Sequence, residues 1–277
     1  MEFKYQHIIP QVYLRRWEAP NLGPGRKGQI WVIQKDDLTK KEPRSPKSVF
    51  AKPDHYTMWK GPDRNLRVEE ALGIIERDLP KVYAKFDKQE PIAAEERVFL
   101  TFFTAAMLSR VESQSEWMAD SLTNIWYQTV RLEEKENIEP VASSNLEREM
   151  MNLNGGVVRA GLMQRARMLM GMGLTILTTH DVTGFITGDD PCSLNVQSGR
   201  VYIGNPTVEI ILPLTPSHAA LFTGPPLLMR FGAPGTYQEA SADQVNECNA
   251  RTMYHCRKQF VSRTAEVRDL WFMAAPA

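Results

Sequence analysis

Cysteine is scarce in this 277-residue chain: Cys192, Cys248 and Cys256 are the whole set. An odd, sparse set excludes a disulfide framework, and Cys248 and Cys256, eight apart, cannot bridge on one helix. Reduced cysteines in a cytoplasmic protein are expected, and a zinc site would need closer Cys/His pairs. Net charge is also missing, with 33 Lys+Arg against 33 Asp+Glu. That balance excludes a uniformly basic protein with a chain-wide grip on nucleic acid or anionic membrane. Long apolar runs are absent too. The most apolar stretch, Val98 to Leu108, covers eleven residues, against about 20 for a membrane-spanning helix. It reads as a buried core helix, so no membrane partner is expected. Met1 to His7 holds no apolar signal-peptide core, which agrees with a cytoplasmic protein. No Gly-rich phosphate loop and no Gly-x-Ser-x-Gly nucleophile elbow occur.

What is present suits one domain over residues 1–277 with a substantial core: 43% of residues are hydrophobic and 24% charged. The balanced charge hides an asymmetry. Residues 1–60 carry 12 Lys+Arg against 6 Asp+Glu, residues 61–149 carry 11 against 18, and the remainder 10 against 9. The basic third and the acidic middle either dock on each other or leave the basic third exposed to an anionic partner.

Residues 1–60 read as extended, with a strand at Gln29–Ile33 and Pro10 opening a short helix. Residues 66–172 read as helical. The spacing of Val68, Leu72, Ile75 and Leu79 predicts a helix ended by Pro80; further helices are expected over 91–118, 122–134 and 144–170, the last broken near Gly155-Gly156. Residues 174–277 read mostly as strands, at 174–179, 184–187, 201–203, 208–212, 219–223 and 270–273. A helix capped by Ser241 runs to about Tyr254. Strands and helices cluster rather than alternate, so the expected class is α+β: N-terminal strands, a central helical bundle, and a C-terminal antiparallel sheet with one closing helix.

Three segments carry a family resemblance. His7-Ile8-Ile9-Pro10-Gln11-Val12-Tyr13-Leu14-Arg15-Arg16-Trp17 resembles the opening motif of the bacterial family catalogued as domain of unknown function 4238. Phe185-Ile186-Thr187-Gly188-Asp189-Asp190-Pro191 is similar to its second signature, an apolar strand ending in Ser-Asp-Asn-Pro, and Ile211-Leu212-Pro213-Leu214-Thr215-Pro216 to its third. Gly188 replaces the usual hydroxyl residue, and Asp190 stands where the family often has Asn. The resemblance implies a shared fold and supplies no activity.

Four residues on or near these segments are the candidate site: His7, Gln11, Arg110 and Asp189. His7 and Gln11, four apart, share a face if their segment is helical, and offer a titratable nitrogen beside an amide. They either serve chemistry or satisfy buried backbone groups. Asp189 ends a strand, where a carboxylate binds a divalent cation or acts as base, although Asp-Asp-Pro is also turn chemistry. Arg110 closes the apolar helix and either pairs with Asp189 or Glu76 or meets a ligand anion. Glu69, Glu70 and Glu76 lie on one helix, where Glu69 and Glu76 share a face and offer metal-binding carboxylates, but a solvated charged face is the expected reading. Asn246, Asn249 and Arg251 offer a polar lining, the Met163–Met172 cluster packs, and Cys192 lacks an assignable histidine.

Two functions compete. In one, the protein is a metal-assisted phosphodiester hydrolase of nuclease type: His7 and Asp189 hold a divalent metal, Gln11 orients water or substrate, Arg110 stabilises phosphoryl charge, and the substrate is a small-molecule or nucleic-acid phosphodiester. In the other, it is a non-catalytic binding or sensor protein whose polar cluster fixes the fold. The sequence does not give the oligomeric state.

Overall fold

A computed structural model describes residues 5–20, 22, 23, 25, 28–60, 63–196, 205–225 and 236–273. The N-terminal region comprises β1 (Tyr5–His7), α1 (Gln11–Leu14) with a 3-10 turn at Arg15–Trp17, β2 (Ile30–Gln34), β3 (Lys41–Arg44), β4 (Ala51–Pro53), β5 (Met58–Lys60) and β6 (Asp63–Asn65). The helical middle follows as α2 (Arg67–Arg77), α3 (Leu79–Lys88), α4 (Ala94–Arg110), α5 (Glu112–Glu136), α6 (Val141–Met151) and α7 (Leu153–Met170). The C-terminal region holds β7 (Gly173–Thr178), β8 (Thr187–Gly188), β9 (Ser193–Val196), β10 (Val208–Thr215), β11 (His218–Thr223), β12 (Tyr237–Glu239), α8 (Ala242–His255), β13 (Gln259–Ser262) and α9 (Leu270–Met273).

The α+β class stands, with one change in how its parts join. Among the described residues a five-stranded sheet of order β12-β7-β11-β10-β9 is built wholly from C-terminal strands, antiparallel except for the parallel β12–β7 pair. A second sheet, β3-β2-β13-β8, interleaves the two ends of the chain: Val32 of β2 stands opposite Val261 of β13. The N-terminal strands β2 and β3 are therefore part of a sheet shared with the C-terminal end. Two ribbons, β1–β4 and β5–β6, complete the strands.

The helix ends follow local chemistry. Pro80 falls in the first turn of α3, where its missing N–H costs nothing, and α2 stops just before it. The helix expected over 91–118 is instead two. Val111 adopts an extended conformation (φ −74°, ψ 148°), as a β-branched residue does readily, and α5 restarts at Glu112. The expected break near Gly155-Gly156 comes three residues earlier, at Asn152, and both glycines lie within α7. Gly155 has a packing reason: a Cβ there would stand 2.7 Å from Met58. Residues 270–273 are helical, not a strand; Trp271 packs edge-on against Phe260, and its indole reaches Asn246. The strand expected over 184–187 shrinks to Thr187–Gly188, and the one expected at 201–203 lies outside the described residues.

From Leu100 to Arg110 every residue of α4 except the half-buried Phe102 is buried, as its uncharged run up to Leu108 suggests. Its Phe103 and Met107 share one core cluster with Tyr13, Trp17, Leu174, Ile210 and Phe222. All three cysteines are buried free thiols. Among the described residues no helix is long and apolar enough to cross a membrane.

Candidate functional site

The three signature segments meet in the core. The Tyr13 hydroxyl donates to the Pro213 carbonyl at 2.6 Å and contacts the Thr187 hydroxyl at 2.7 Å. The Trp17 indole donates to the Phe185 carbonyl at 2.8 Å. The Phe185 N–H in turn donates to the Pro216 carbonyl at 2.8 Å. Gly184 permits this approach: its φ is +65°, and a Cβ would stand 1.9 Å from the Pro216 oxygen. Asn249 of α8 closes the knot, accepting from the Ile186 N–H at 3.0 Å and donating to the Gly184 carbonyl at 2.8 Å. Tyr13, Trp17 and Asn249 are fully buried, so their polar atoms serve backbone groups that water cannot reach.

His7 lies in β1, and its Nε2 donates to the Lys47 carbonyl at 3.1 Å. Burial holds its imidazole below the usual pKa, so the ring is neutral at pH 7. Gln11 does not share a helical face with it. Pro10 is extended (ψ 136°) and separates the strand from α1, which Gln11 opens half-buried. Arg110 is buried and pairs with Glu76 at 2.6 Å, while its other terminal nitrogen donates to the His7 carbonyl. Tyr56 donates to the Arg110 carbonyl at 2.8 Å and sets its ring 5.7 Å from the guanidinium. Glu76, expected on a solvated face, is thus the counterion of a buried cation.

Asp189 is engaged elsewhere. Its two oxygens accept the backbone N–H groups of Arg257 at 2.8 Å, Lys258 at 2.7 Å and Gln259 at 3.2 Å. The structure thus joins His7 to Arg110 and Glu76, and ties Asp189 to the turn between α8 and β13. The metal reading meets a plain difficulty: among the described residues no three His, Cys, Asp or Glu side chains are grouped to hold an ion. His7 and Asp189 each have separate hydrogen-bond partners.

A cleft of about 250 Å³ opens where the Asp189 turn faces β4 and the start of α5. Ile8, Phe50 and Ala51 form its apolar side; Lys52, Arg257 and Lys258 bring three cations, and Glu112 and Asp189 two carboxylates. Because Asp189 gathers the N–H groups of the turn, its negative charge is spread into the backbone while Arg257 and Lys258 keep exposed side chains. Phe50 has a φ of 54°, costly for a bulky residue. Such strain persists only where surrounding contacts hold it, and here the Phe50 carbonyl accepts the Ile8 N–H at 2.7 Å. Sequence reasoning missed Lys52, Arg257 and Lys258. The basic surplus of residues 1–60 pointed to the first in general terms, and the adjacent Arg257-Lys258 pair at the end of α8 was the available signal for the others.

Asp190 turns the other way and accepts from the Ser113 hydroxyl at 2.9 Å. Burial pushes its carboxyl up to about 6, against the opposing pull of that hydrogen bond. Burial also drives the Cys192 thiol well above its ordinary value, so the residue is a protonated core thiol and a poor nucleophile. Arg165 folds back over Gly161 to reach Ser109 at 2.8 Å and Gln114 at 2.6 Å, fastening α7 to the α4–α5 break.

Comparison with known proteins adds one match. The family model described as "Protein of unknown function (DUF4238)" covers residues 5–266. No curated protein and no solved structure matches the chain.

Proposed function

The chain belongs to the DUF4238 family, whose description carries no activity, and we propose that it is a non-catalytic binding protein that takes a small anionic molecule in the Lys52–Arg257–Lys258 cleft. The observation that carries this reading is the Asp189 carboxylate, which accepts three backbone N–H groups and so shapes the turn that presents Arg257 and Lys258. A group so engaged positions cations; it is poorly placed to bind a metal or take a proton at the same time. His7 and Arg110 support the same reading, since each is spent on a carbonyl or a carboxylate of the fold. An anion entering the cleft would meet Lys52, Arg257 and Lys258 against an apolar wall, the usual composition of a small-molecule site.

The test is calorimetric titration with inorganic phosphate and pyrophosphate, paired with thermal melts. Lys52→Ala and Lys258→Ala are expected to weaken binding with unchanged melting, while Asp189→Ala and His7→Ala lower the melting temperature. Divalent-cation-dependent cleavage of DNA, RNA or a generic phosphodiester by the wild type, lost in a still-folded Asp189→Ala protein, would instead establish the hydrolytic reading.

A further inference from the structure

A second cavity, of about 270 Å³, lies beside the cleft and includes His55, Ser115, Glu116 and Asn154 in its lining. Lys52 and Glu112 line both spaces. Two ion pairs join residues of their linings: Lys52–Glu112 at 2.5 Å, and Arg257–Glu116 at 2.5 Å, which runs from one cavity to the other. Lys52, Arg257 and Glu116 are 36–52% exposed and Glu112 is half-buried, and pairs that reach solvent in this way are weak enough for a competing anion to open.

We infer that the two cavities are halves of one groove for a nucleoside phosphate, with the phosphate at Lys52, Arg257 and Lys258 and the base in the compartment of His55, Asn154 and Glu116. The inference rests on the anion-binding reading above and names its ligand. A phosphate that takes Lys52 and Arg257 strips Glu112 and Glu116 of their cations. Two carboxylates are then left facing the second compartment with acceptor capacity to fill. A base with adjacent N–H donors satisfies one of them in a two-bond, charge-assisted contact. Guanine has that edge, and uracil offers a single N–H between two carbonyls. Burial, followed by the charge of Lys52, holds His55 at a pKa of about 4, so its ring is neutral. Its Nδ1 lies 3.4 Å from the Asn154 amide nitrogen, which leaves the amide oxygen for the ligand. No bond is made or broken: the phosphate exchanges places with Glu112 and Glu116 as partner of the two cations.

The test titrates the full chain with inorganic phosphate, ribose 5-phosphate, guanosine monophosphate and uridine monophosphate, on wild type and Glu116→Gln. Guanosine monophosphate is expected to bind about tenfold tighter than ribose 5-phosphate, the increment of one charge-assisted contact. Uridine monophosphate should fall between them. Glu116→Gln should weaken guanosine monophosphate while leaving inorganic phosphate equal or tighter, because Arg257 is released from its pair. Glu116 is exposed, so the variant is expected to fold, and a circular dichroism melt checks this. Guanosine monophosphate no tighter than ribose 5-phosphate, or a Glu116→Gln effect equal on both ligands, overturns the inference. Failure of inorganic phosphate to bind at all defeats the anion-binding reading instead, so the two failures are distinguishable.

Discussion

Replacing Asp189 with alanine removes one acceptor from three donors at once: the N–H groups of Arg257, Lys258 and Gln259. A hydrogen bond to a charged group contributes about 1.5–3 kcal/mol. Simple addition overstates the loss, because Arg257 and Lys258 are exposed and water replaces the carboxylate at their amides. The Gln259 amide, at the start of β13, is more sheltered. A net cost of about 2 kcal/mol follows, or about 3–4 °C in melting temperature for a chain of this size. Asp189→Asn keeps one carbonyl oxygen and should lose about half as much. The assay is a circular dichroism melt with parallel urea unfolding, the m-value confirming the same two states. A melt unchanged within about 1 °C, together with lost ligand binding or lost turnover, would refute the reasoning. Asp189 would then act on a ligand and not on the turn.

Tyr13→Phe strands the Pro213 carbonyl and the Thr187 hydroxyl in the core, and urea unfolding should register a loss of about 1–3 kcal/mol. Arg110→Ala leaves Glu76 and the His7 carbonyl without their cation and should cost about 3 kcal/mol, while Arg110→Lys recovers only part because one ammonium cannot span both. Asp190→Asn should stabilise the protein at pH 7.5: the folded pKa of about 6 lies above the ordinary carboxyl value, so ionisation opposes folding above pH 6. The gain, discounted to about 1 kcal/mol because the carboxyl keeps some solvent contact, should vanish as pH falls to about 4 in melts across that range. His55 and His218 act in the opposite sense. Their folded pKa values, lowered by burial to about 4, make the unfolded state the better proton acceptor, so stability present above about pH 6.5 is lost toward pH 4. His218→Phe should flatten that part of the acid-unfolding profile.

The class, the helical middle and the capped helix at 242–255 were legible because each rests on local periodicity or capping chemistry. Val111 was not: nothing near it marks a stop, and the break between α4 and α5 is held by what Arg110, Ser109 and Gln114 bond across space. The strand reading of 270–273 failed for a similar reason. Four apolar residues fit either period, and Trp271 settles the matter by packing on Phe260. Candidate site residues were chosen for their chemistry, and the side chains of His7, Arg110 and Asp189 carry specific bonds. Arg110 takes Glu76, one of the two carboxylates expected for it, while the bonds of His7 and Asp189 go to a backbone carbonyl and to backbone N–H groups, partners that no residue alphabet reveals. The cations of the cleft come from positions 52, 257 and 258, which only the folded chain places side by side.

The core knot also sets a timetable. Tyr13 bonds Thr187 and Pro213, 174 and 200 residues downstream, and β2 pairs with β13, whose Gln259 lies 225 residues beyond Gln34. At about 5–20 residues per second of synthesis, the first 17 residues wait on the order of 10–40 s before their partners exist. During that interval Phe103 and the other core residues of the helical middle can cover Tyr13, Leu14 and Trp17 only in part, while the helices from α2 to α7 can already pair locally. A nascent chain stopped before residue 185 therefore carries an N-terminus whose Tyr13 hydroxyl and Trp17 indole lack the Pro213 and Phe185 carbonyls they bond. Proteolysis of such ribosome-held fragments should begin at that end.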